Sequence, residues 1–60
     1  MSTVYNPEAE IISEIERLEL EARDIRRKID RVQNDIDKRV LNKQLRELQE
    51  EMEVLRSRLP

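Results

Sequence analysis

Gln33-Asn34-Asp35-Ile36-Asp37-Lys38 is the stretch that decides the fold, because two apolar repeats meet there and do not join. Upstream, Ile11, Ile15, Leu18, Ala22, Ile25, Ile29, Val32 and Ile36 recur at alternating spacings of four and three, the seam of a heptad repeat. Downstream, Leu41, Leu45, Leu48, Met52, Leu55 and Leu59 follow the same rule. The step of five between Ile36 and Leu41 shifts the frame by two, whereas an ordinary coiled-coil stammer or stutter inserts three or four residues. At about 100° per residue, Ile36 and Leu45 fall roughly 180° apart on one straight helix. No single seam serves both series, and a turn removes the conflict.

The order of charges agrees. A helix favours acids in its first turn and bases in its last. The first segment opens with Glu8 and Glu10 and closes with Arg26, Arg27, Lys28 and Arg31; the second opens with Asp35 and Asp37 and closes with Arg56 and Arg58. Glycine, the usual residue just past a helix end, is absent from the chain. Asn34 is the natural substitute there, and Asn34 or Asp35 also suits the cap of a second helix. Because a heptad pattern is palindromic, turns at 33 to 35 and at 36 to 38 align the seams equally well.

Working outward, Asn6-Pro7-Glu8 reads as a helix start: a capping Asn, a Pro suited to the first helical position and an acid that complements the dipole. The expected organisation is a flexible lead over residues 1–6 and a single hairpin domain over 7–59. Its helices are expected at 7–33 and 36–59, with a turn at about 34–37, and Pro60 ends the second helix. The small Ala22 in an Ile-rich seam implies a closely packed layer. Ile12 and Leu20 lie off the seam, as isolated exposed apolar residues often do or as contacts to a further helix. Val40 and Val54 share one heptad position on the flank of the second seam, a widening that suits a helix touching two neighbours.

Sixty residues with 43% charged and 37% apolar side chains make one small domain with a net charge of -2. A chain of this size buries little surface by itself, and without Cys or His it has neither a disulfide nor an ordinary zinc or haem site. Its apolar residues are patterned rather than diluted, which separates it from a disordered polyelectrolyte. No run approaches the length of a membrane span, and the N-terminus lacks the pattern of a signal peptide. A soluble, intracellular protein without membrane contact is expected.

The chemistry of catalysis is not written in the chain. Every Asp and Glu lies off the seam, where a solvated helix face accounts for it, and general acid–base work calls for His or for carboxylates held in a cleft. Phosphate loops and dinucleotide fingerprints need glycine, and di-iron bundles need Glu-x-x-His and acids in the core. No enzyme activity, cofactor or metal site is expected, and Asp35 with Asp37 reads as a helix start rather than a cation site.

The fold class expected is all-α: an antiparallel helical hairpin of coiled-coil type that dimerises into a four-helix bundle. The alternative is one long helix in a coiled coil. In length and layout the hairpin resembles the small four-helix bundle of the plasmid copy-control protein Rop. No residue motif is shared, so only the layout is implied and no function is carried over.

Charge is segregated along the chain: residues 1–22 sum to -5, residues 23–46 to +5 and residues 47–60 to -2. In a hairpin this places bases at the turn and acids at the open end, which favours two hairpins with turns at opposite ends. The expected function is a non-catalytic protein–protein interaction or oligomerisation module, a small adaptor or assembly domain. Its expected partner is a second copy or another helical protein. The alternative is a small nucleic-acid-binding regulator using the basic surface of Arg23, Arg26, Arg27, Lys28, Arg31, Lys38, Arg39 and Lys43. The only aromatic residue, Tyr5, lies far from that surface and supplies no stacking platform for single strands.

Overall fold

The computed structural model describes residues 6–60. Two helices, α1 (Pro7–Arg31) and α2 (Asp35–Ser57), pack against each other as a hairpin. The expected lead at residues 1–6 lies outside the described residues except for Asn6. That residue is extended, and its side-chain Oδ1 accepts hydrogen bonds from the backbone N–H groups of Glu8 (3.1 Å) and Ala9 (3.3 Å). With Pro7 next and Glu8 and Glu10 in the first turn, the helix start has a cap, a preset φ and favourable dipole charges.

α1 stops at Arg31, two residues before the expected end at Gln33. Val32 leaves the helix with φ -79° and ψ 134°, while its N–H still donates to the carbonyl of Lys28. The connection is Val32-Gln33-Asn34, which begins two residues and ends three residues before the expected 34–37. Asn34 is extended at φ -83° and ψ 126°, and its Oδ1 accepts from the N–H of Ile36 at 2.8 Å. No described residue has a positive φ. Asn34 therefore caps α2 instead of closing α1 in the left-handed region, which is costly for a residue with a Cβ. α2 ends at Ser57, with Leu59 just beyond it in a tightened turn, its N–H on the carbonyl of Arg56.

Ile15, Leu18, Ala22 and Met52 are buried, and Leu45, Leu48 and Leu55 pack against the cluster of Leu18, Ala22 and Met52. Ile11, Ile25, Ile29, Val32, Leu41, Leu45, Leu48, Leu55 and Leu59 are half-buried. Ile36 is the exception among the expected seam residues: it is 70% exposed. Because the turn precedes it, Ile36 belongs to the first turn of α2, and five residues before Leu41 it points about 140° away from the α2 seam. The seam place there is taken by Lys38, which is half-buried, as a long aliphatic stem allows while its ammonium stays in water. Ile12, Leu20, Val40 and Val54 are exposed.

The side chain of Asn34 holds the start of α2 without help from any glycine. Asn34→Ala is expected to lower stability by about 1 kcal/mol, seen as a fall of several degrees in the midpoint of thermal unfolding by circular dichroism. Asn34→Asp, which keeps an acceptor at the same place, is expected to stay near the parent.

Candidate functional site

A two-helix hairpin has two broad faces, one on either side of the line where the helices touch. Here they differ in chemistry. On one face, three shallow depressions follow one another from the open end to the turn. Ile11 and Leu55 floor the first, between Pro7 and Arg58. Ile25 and Leu48 floor the second, rimmed by Glu21, Asp24, Glu47 and Glu51. Val32, Val40 and Leu41 floor the third, beside Lys28 and Asp37. Six of the nine half-buried seam residues thus form the apolar floor of a charged-rimmed trough along one side of the molecule.

The opposite face is polar. Its depression is lined by Glu19, Arg23, Arg26, Gln49 and Arg56 over the buried Ala22 and Met52. Arg56 donates to the Glu19 carboxylate at 3.1 Å, the one ion pair that joins the two helices among the described residues. Both side chains are about half exposed, so the pair contributes well under 1 kcal/mol in salt. Its value is positional, since it closes the polar side over the core. Within α1, Arg17 donates to Glu14 at 2.6 Å; this hydrogen bond, with the adjacent carboxylate charge, raises the pKa of the exposed guanidinium.

Thirteen of the fourteen seam residues named from the sequence fall on the contact line between the helices, and Ile36 is turned away from it. The eight basic residues do not gather on one surface. Arg23 and Arg26 border the polar face, Lys28 borders the apolar trough and Lys38 sits half-buried at the seam. Arg27, Arg31, Arg39 and Lys43 are exposed and border none of these four depressions. Asp35 and Asp37 belong to no group of three or more acidic side chains able to hold a cation among the described residues, and no helix there is long and apolar enough to cross a membrane.

The acidic rim of the trough, Glu21, Glu47 and Glu51, and the Glu19–Arg56 link were not singled out from the sequence. The signal existed in the heptad frame. Residues just outside the seam on the same side of both helices meet across an antiparallel pair, and Glu19 and Arg56 hold that relation. No protein-family model matches the chain, and neither the curated proteins nor the solved structures include a significant match.

Proposed function

We propose that this chain is a non-catalytic interaction and oligomerisation module. A second copy packs on the apolar trough so that two hairpins form a four-helix bundle with their turns at opposite ends. The observation that carries this reading is the one-sided trough: nine seam residues are only half-buried within the hairpin, and Ile11, Ile25, Val32, Leu41, Leu48 and Leu55 open to the same side. A hairpin with four buried apolar side chains gains little against chain entropy at this size. Covering the trough supplies the missing burial at about 25 cal/mol per Å² of apolar surface. The hairpins' alternate acidic and basic ends support the antiparallel arrangement, and the shape of the trough also admits a helix of another protein.

A second reading rests on the convergence of Arg23, Arg26 and Arg56 around one depression. Three guanidinium groups on one face suit a phosphate backbone, and the chain would then act as a small nucleic-acid-binding regulator. Glu19 already engages Arg56 and the chain is net acidic, so the assembly reading stands first.

Assembly makes stability depend on concentration. The unfolding midpoint is expected to rise between about 1 and 100 μM protein, with light scattering after size exclusion giving a dimer mass; a concentration-independent monomer would refute the module's self-assembly. Leu48→Asp places an unpaired charge in the trough and is expected to abolish association and folding together. Leu20→Asp, on an exposed site away from the trough, is expected to alter neither.

For the second reading, the triple change of Arg23, Arg26 and Arg56 to Gln is the direct probe. Binding of a random duplex at about 50 mM salt, a permissive condition, is expected to be absent in the parent if assembly is the whole function. Binding that the triple change removes, with helix content retained, would favour the nucleic-acid role.

A further inference from the structure

From the rim of the trough we infer the register of the dimer. The second copy seats with each helix antiparallel to its own counterpart, about a two-fold axis passing beside Glu21 of α1 and Glu47 of α2. The inference rests on the self-assembly reading above and adds the face, the pairing of helices and the position of the axis.

The rim residues lie in four lines, each with a seven-residue step; most of their members border the depressions, and Arg17, Arg31 and Val54 continue the same lines outside them. On α1 they are Glu10, Arg17, Asp24 and Arg31, and next to them Glu14, Glu21 and Lys28. On α2 they are Asp37, Gln44, Glu51 and Arg58, and beside them Val40, Glu47 and Val54. A two-fold of this kind lays each line against its own reverse.

The first line reads acid, base, acid, base. Reversed, it meets itself with opposite charge throughout: Glu10 opposite Arg31 of the second copy and Arg17 opposite its Asp24. In the second line Glu14 faces Lys28 of the second copy. In the third, Asp37 faces Arg58 and Gln44 faces Glu51. In the fourth, Val40 and Val54, both 52% exposed in the hairpin, cover each other. Only Glu21 and Glu47 meet their own copies, at the axis.

The levels of the two helices within the hairpin support the register further. The centres of the lines fall at residues 20 to 21 on α1 and 47 to 48 on α2. The hairpin sets those levels side by side, since Glu21, Glu47 and Leu48 border one depression. The two helices could each have been self-complementary about different heights, and one axis would then have failed to satisfy both. The competing arrangement, with turns at the same end, lays α1 over α2 of the second copy. It also pairs Glu10 with Arg58, Arg17 with Glu51 and Arg31 with Asp37, but it sets Val54 against Glu14 and Val40 against Lys28, leaving charges over the exposed valines. The face suits the task in size: two helices of 25 and 23 residues side by side present a surface about 35 Å long and 20 Å wide, on the order of the 800 Å² each partner contributes to a stable interface.

A charge exchange tests the register. Glu14 and Lys28 are about 21 Å apart along α1 and cannot touch within one chain, so coupling between them reports the second copy alone. At about 50 mM salt, where exposed pairs are least screened, Glu14→Lys and Lys28→Glu are each expected to weaken the dimer about tenfold by sedimentation equilibrium. The double variant is expected to return to within about threefold of the parent, the scale of two symmetry-related rim pairs. Glu21→Gln with Glu47→Gln removes the repulsion at the axis and is expected to tighten the dimer several-fold. A double exchange no better than the single changes, or a Gln pair that does not tighten, would overturn this register while leaving self-assembly intact. A monomeric parent would overturn both.

Discussion

An α-helix has one side to offer a partner, and this chain carries two apolar stripes set about half a turn apart. Everything else follows from that conflict. A continuous helix would leave either the Ile-rich or the Leu-rich stripe in water, forfeiting roughly 1.5–3 kcal/mol for each large side chain not buried. Breaking the helix over Val32-Gln33-Asn34 costs a few backbone hydrogen bonds, and the caps recover part of that loss: the Val32 N–H reaches the Lys28 carbonyl and the Asn34 side chain takes the N–H of Ile36. With no glycine to supply a left-handed residue, the chain turns through extended conformations and restarts directly on a cap.

The resulting core is thin. Leu18 and Ala22 are sealed, at 2% and 1% exposure, because Met52 and its Leu neighbours close over the small alanine. Small against large is how facing helices approach closely. Away from this layer the same heptad positions remain half in water. The polar face is closed by the Glu19–Arg56 link and its neighbouring arginines, whereas among the described residues the other side has no such bridge and shows seam residues as a trough. The hairpin is thus finished on one side and unfinished on the other, and this asymmetry carries the assembly reading.

In the proposed dimer, charge acts as a guide more than as a glue. Rim pairs on a solvated helix surface contribute little each, but acids and bases arranged in reversed order along a helix distinguish one relative orientation of two hairpins from another. Apolar burial in the trough is indifferent to direction, because a heptad seam reads the same both ways. The rim lines are not indifferent, and a small protein of repeating seam residues needs such a device to select one register.

The periodicity of the apolar residues and the two-residue shift between Ile36 and Leu41 favoured, from the sequence alone, two helices over one long one, and they marked correctly all of the named contact residues except Ile36. They did so because burial must follow the 3.6-residue turn. The Asn6-Pro7 start was equally legible, since capping is local. The C-terminal end of α1 and the turn were not, because a palindromic heptad tolerates several turn positions. Only the fold decided that Asn34 caps α2, that Ile36 turns outward and that Lys38 takes its seam place. Nor could the sequence say that Ile15, Leu18, Ala22 and Met52 are sealed while Ile25 and Leu48 stay open. That difference depends on how two helices lean against each other and which flank is bridged, a relation between elements that no single helix's repeat contains.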